Sequence, residues 1–171
     1  MLLSVFVVAA LANSGAAHLP SPLALAEQGQ VQCYRPDVRK KTCQSIASYQ
    51  RTGPGTYDNR ALIPVSADAT LETHTPVVIK GDAVCGFVRR EDTMAGKLRV
   101  DGHLVDAEKA KPILERIAEA MAPMSGKEIC TKYVPTGAEF TAKISIGGTY
   151  DPEEDQTVKW IDPTDGYTVT P

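Results

Sequence analysis

No lysine, arginine, aspartate or glutamate precedes Glu27, although the chain of 171 residues carries 18 basic and 21 acidic side chains. The uncharged opening contains the apolar run Leu2 to Ala12, which suits the hydrophobic region of a secretory leader and is too short to cross a bilayer as a helix. Pro20 and Pro22 then interrupt any helix, and Ala24-Leu25-Ala26 offers the small residues that a signal peptidase accepts. Residues 1–26 are therefore read as a signal peptide cut after Ala26, with Gly15-Ala16-Ala17 as a second cleavage candidate. Residues 27–171 are read as a single exported domain, periplasmic or extracellular, with a docked C-terminal tail. No later stretch is long and apolar enough to be a transmembrane helix.

Cys-x-x-Cys spacing is also missing, which removes the usual zinc and redox signatures. The four cysteines, Cys33, Cys43, Cys85 and Cys130, are even in number, and in an exported chain they read as two disulfides. Three pairings are possible. Cys33 with Cys43 and Cys85 with Cys130 is favoured, because the first pair brackets a short turn-like segment and the second joins two predicted strands.

Catalytic signatures are absent as well: the chain holds no Gly-x-Ser-x-Gly, Ser-x-x-Lys or His-Glu-x-x-His. Beyond the leader the only histidines are His74 and His103, which are not spaced as metal ligands. Asp101-Gly102-His103 reads as hairpin chemistry. The acidic run Asp151 to Asp155 lacks the ligand spacing and glycine of a calcium loop and reads as a solvated turn. A net charge of -3 gives no case for nucleic acid. Arg39-Lys40-Lys41 and Arg89-Arg90 are short basic groups, the second followed at once by Glu91-Asp92. No catalytic set, cofactor site or metal site is assigned.

What is present is a series of short strand-forming segments broken by Gly, Pro and Asp. Gly81-Asp82 and Asp101-Gly102 mark two hairpins. Phe140, Ala142, Ile144 and Ile146 alternate with polar residues as a strand with one wet face. Between them Ile113, Leu114, Ile117, Ala118 and Met121 recur at helical spacing, so one amphipathic helix is predicted, starting near Lys109 to Lys111 with Pro112 in its first turn. The expected class is α+β: a mostly antiparallel sheet packed on that helix and braced by two disulfides. Trp160, the sole tryptophan, is expected to dock the tail.

The functional expectation is correspondingly broad. A non-catalytic binding or envelope-associated module fits best, with an exported or envelope protein as a possible partner class. A small hydrolase using His103 with a serine or carboxylate is the first alternative. An inhibitor presenting the loops Arg35 to Lys41 or Thr52 to Thr56 is the second.

Overall fold

A computed structural model describes residues 21–170. Twelve strands occur: β1 (Val31–Tyr34), β2 (Thr42–Cys43), β3 (Ser45–Gly53), β4 (Thr56–Pro64), β5 (Ala69–Lys80), β6 (Ala83–Phe87), β7 (Lys97–Val100), β8 (His103–Leu104), β9 (Glu128–Thr136), β10 (Glu139–Ile146), β11 (Thr149–Ile161) and β12 (Thr168–Val169). The helices are α1 (Ala24–Glu27), α2 (Arg90–Met94) and α3 (Ala107–Ala120).

Eight of the strands close into an antiparallel barrel in the order β1-β3-β4-β5-β6-β9-β10-β11, with β11 returning to β1 through pairs such as Gln32 with Trp160. This corrects the expected α+β sheet packed on one helix. Alternation along a strand reveals that one face is buried, but a face can be buried against a helix or against the other staves of its own barrel. The acidic run hid the decisive strand: Asp151 to Asp155 lies inside β11, which pairs with β10 on one edge and β1 on the other. A register shift between Ala142 and Ile144 marks the irregularity that this polar stretch introduces.

Cross-strand partners share a face, so the register separates inside from outside. Tyr57, Asn59, Ala61 and Ile63 of β4 face inward with Val77, Thr75, Thr73 and Leu71 of β5. Strand β5 pairs with β4 along one edge, while its other edge meets β7 at Ala69 to Glu72 and β6 at Val77 to Lys80. Pro76 falls just before the second pairing begins, where its missing N–H breaks no ladder bond to β6. The wall divides there, and α2 and the β7–β8 hairpin leave the barrel.

Both ends of the barrel carry apolar clusters. At one end Leu23, fully buried, packs with Tyr57, Val77 and Val84, and Ala26, Tyr133 and Trp160 lie against them. Glu27 accepts a hydrogen bond from the Tyr57 hydroxyl at 2.5 Å. At the other end, Ala110 and Leu114 of α3 cover Ala69, Leu71 and Leu98. The helix starts at Ala107, earlier than expected, because the Asp106 carboxylate accepts the Glu108 N–H. Pro112 consequently lies inside the helix and not in its first turn.

The described region thus includes residues on the N-terminal side of Ala26, and a cut there would remove Leu23 from the barrel end. Of the expected leader, residues 1–26, positions 1–20 lie outside the described residues. Cys33 pairs with Cys43 and Cys85 with Cys130. The first bridge packs with Ile161 outside the barrel, where β12 runs parallel to β2. The second joins directly opposed residues of β6 and β9. Trp160 sits in stave β11, edge-on to Tyr133 with ring centroids 6.3 Å apart.

Candidate functional site

Between the two apolar clusters the barrel encloses a cavity of about 360 Å³. Its middle is lined by small or apolar inward residues, among them Ala61, Thr73, Thr75, Gly86 and Thr131. Gly86 leaves space that a side chain would contest, since a Cβ there would come within 2.9 Å of the Val77 side chain. Tyr34, Tyr49 and Tyr133 line the cavity too, and they converge above Gln32 on the side nearest Leu23.

Those four residues form one hydrogen-bonded group. The hydroxyls of Tyr34, Tyr49 and Tyr133 lie 3.0, 3.0 and 3.1 Å from Gln32 Oε1. Tyr133 Oη is also 2.9 Å from Tyr34 Oη and 3.1 Å from Tyr49 Oη. Gln32 is wholly buried, and its Nε2 has no hydrogen-bond partner among the described residues. Burial pushes the three phenols above their ordinary pKa, most strongly at Tyr34 and Tyr49, so all three are neutral at physiological pH.

The mouth lies at the opposite end, where Phe87, Val88, Arg89, Asp92, Thr93 and Met121 contribute to the lining. Phe87 is 50% exposed and Met121 38%, so apolar surface continues from the interior to solvent. Among the described residues Arg89 and Asp92 supply the only charges lining the cavity, and they neutralise each other: Nη2 meets Oδ1 at 2.5 Å and Nε meets Oδ2 at 3.0 Å. Asp92 sits in the short helix α2, three residues beyond Arg89, so one turn of chain creates the pair. In the sequence, Arg89-Arg90-Glu91-Asp92 showed only two basic residues followed at once by two acidic ones.

The residues singled out for possible chemistry lie elsewhere. His103 is exposed on β8 and makes no side-chain hydrogen bond among the described residues. His74 lies on the outer wall, with Nδ1 2.6 Å from Asp58 Oδ2 and Nε2 3.5 Å from Glu72 Oε1. Both ring nitrogens lie beside carboxylates on the outer wall, and His74 does not line the cavity. The acidic residues 151–155 are on β11, where Asp151 accepts the Glu153 N–H and Asp155 accepts the Tyr150 hydroxyl. Cys85, Cys130 and Glu128 converge closely, but both sulfurs belong to a disulfide and supply no thiolate for a metal. Lys41 donates to the Asp165 carbonyl, and Lys40 pairs with Asp37, so these two residues of the basic run engage neighbouring groups.

Glu72 is a structural carboxylate on this outer wall. The hydrogen bond from Arg60 at 2.6 Å holds its pKa below the usual value against the opposing effect of burial, and His74 and Lys97 assist. A carboxyl with a lowered folded pKa binds fewer protons folded than unfolded. Its contribution is therefore complete above the unfolded pKa of about 4.3 and is lost as pH falls through the folded value. Glu72→Gln is expected to cost about 1 kcal/mol at pH 7, a figure kept small because Arg60 is exposed. Urea titrations should show that difference shrinking at pH 3.

The candidate-site residues that sequence reasoning missed are Gln32, Tyr34, Tyr49 and Tyr133. Their signal was inward periodicity on β1, β3 and β9, which becomes readable only once the closing pairs of the barrel are known. Comparison with protein-family models, curated proteins and solved structures found no match.

Proposed function

We propose that the chain is an exported, non-catalytic binding module whose barrel holds a small, uncharged, largely apolar molecule. The observation that carries this reading is the cavity of about 360 Å³, with apolar and hydroxyl-bearing walls and a mouth whose two charges cancel. An eight-stranded barrel has an interior of a size that side chains can fill or one small ligand can occupy. Here the small residues Ala61 and Gly86 and three threonines leave it unfilled. An engineered cavity of about 150 Å³ accommodates benzene, so this one has room for a molecule of two fused rings. A charged ligand would lose its hydration without gaining an opposite charge inside.

A hydrolase is less well supported by the same geometry. Among the described residues no imidazole lines the cavity with its threonines, and the one lining carboxylate, Asp92, is held by Arg89. Nothing in the arrangement of the loops Arg35 to Lys41 or Thr52 to Thr56 favours an inhibitor.

Trp160 provides the readout. As the sole tryptophan, stacked edge-on against Tyr133, it reports on the cavity floor. Titration with neutral bicyclic compounds is expected to change its emission saturably and to raise the melting temperature, whereas naphthoate and naphthylmethylammonium should do neither. Ala61→Phe, which fills the middle of the cavity, should weaken binding more than tenfold without loss of stability. Equal responses to neutral and charged compounds, or no response to either, would refute the reading.

Export belongs to the same proposal. The two disulfides suit an oxidising compartment, and the burial of Leu23 favours cleavage after Ala17 over cleavage after Ala26. The mature mass is expected to begin at His18, with no thiol available to alkylation before reduction. A mature chain beginning at Glu27 would contradict the structural role given to Leu23.

A further inference from the structure

The phenol cluster has a polarity, and it restricts the ligand further. Three hydroxyl oxygens lie 3.0 to 3.1 Å from Gln32 Oε1. A carbonyl oxygen has two lone pairs, so two phenols donate to it and the third donates to a neighbouring phenol oxygen, for which the separations of 2.9 and 3.1 Å are suitable. Every phenol hydrogen is thereby used within the cluster. The phenol oxygens retain lone pairs, at most one of which is occupied by the third hydrogen. Tyr34, Tyr49 and Tyr133 all border the cavity, so its floor accepts hydrogen bonds and has no phenol hydrogen left to donate.

The remaining polar groups do not reverse this. Asn59 also borders the cavity; one N–H of its Nδ2 donates to the Ser48 carbonyl, which leaves one N–H and the side-chain oxygen, so Asn59 can serve either role on the wall while the phenol floor only accepts. The threonine hydroxyls are on the middle of the wall and can rotate to serve either role. The phenols stay protonated because burial opposes ionisation, so the floor offers neutral acceptors and not tyrosinate anions.

We infer that the barrel selects a neutral, two-ring-sized molecule carrying one N–H or O–H donor, which it orients with that donor on the Tyr34, Tyr49 and Tyr133 oxygens and its apolar body toward Met121. This inference rests on the reading of the cavity as a ligand site. A donor-bearing ligand replaces its bond to water with a bond to a phenol oxygen, whereas an acceptor-bearing ligand of the same shape brings its lone pairs against theirs. A ligand with neither group fills the space but leaves the phenol oxygens unpaired. Discrimination therefore arises at the floor, while the walls require only size and lack of charge.

Indole, indene and 1-indanone have nearly the same shape and present a donor, no polar group and an acceptor respectively. Calorimetric titration of the full mature chain is expected to give indole an affinity about tenfold above the other two, the usual advantage of one added hydrogen bond. The double variant Tyr49→Phe/Tyr133→Phe should bring indole down toward indene while leaving indene unchanged. If that variant does not fold, the comparison of the three compounds on the wild-type chain still decides. Tighter binding of 1-indanone than of indole, or equal binding of all three, would overturn the donor inference and leave the cavity reading standing. No heat and no thermal shift with any of them would overturn both.

Discussion

Exchanging Cys85 and Cys130 for alanine is expected to lower the unfolding free energy by about 4 kcal/mol, against about 3 kcal/mol for the same exchange at Cys33 and Cys43. The difference follows from the length of chain each bridge closes, 45 residues of separation against 10. Strands β6 and β9 are neighbours in the barrel, yet α2, the β7–β8 hairpin and α3 lie between them in the chain. Without the bridge, the ends of that long excursion must find each other in the unfolded chain with no covalent guide. The bridge also sits beside the cavity, because Gly86 and Ile129 next to it face inward and line the space. Urea denaturation of the two double variants measures both costs. An equal or reversed order would show that packing around Cys33, Cys43 and Ile161 outweighs loop closure.

Leu23→Ala is expected to destabilise the domain by about 3 kcal/mol, within the range for emptying a fully buried leucine site. Leu23 has no exposed surface and contacts the cluster of Tyr57, Val77 and Val84 that closes one end of the barrel. The local chain supports its placement: the Ser21 hydroxyl accepts the Leu23 N–H at 3.2 Å, and the Leu23 carbonyl accepts the Glu27 N–H at 3.0 Å. An alanine would leave space next to Tyr49 and Tyr133, so the variant should also disturb Trp160 emission. Leu104→Ala, at a leucine 63% exposed, serves as control and should cost less than about 0.5 kcal/mol. A loss at Leu23 no larger than at Leu104 would remove the reason for keeping residues 18–26 on the mature chain.

Much of the local structure was legible before the fold was known. Asp101 and Gly102 adopt positive φ values of 49° and 78° and join β7 to β8, as the Asp-Gly dipeptide indicates. The alternation of Phe140, Ala142 and Ile144 marks a real stave, and the helical spacing of Leu114 and Ala118 marks the buried face of α3. The disulfide pairing also agrees. Closure was not legible. It depends on β11 meeting β1 across more than a hundred residues, and Asp151 to Asp155 disguises the start of β11 as a turn. Pro112 misplaced the helix start because a strong Asp106 cap outweighs the loss of one internal hydrogen bond.

The site was less legible than the fold. A glutamine and three tyrosines on three separate strands carry no spacing motif, and each alone looks like an ordinary strand residue. They form a cluster only because closure brings β1, β3 and β9 around one interior. Arg89 and Asp92, by contrast, are close in sequence, but their value at the mouth depends on α2 standing beside the split in the wall.

The most direct test is a crystal structure of the mature chain grown with indole. Density for one indole inside the barrel is expected, with its nitrogen within about 3.2 Å of a phenol oxygen of Tyr34, Tyr49 or Tyr133. A barrel interior filled by rearranged side chains, with indole absent or bound only on the outer surface, would contradict the proposal that this barrel is a ligand site.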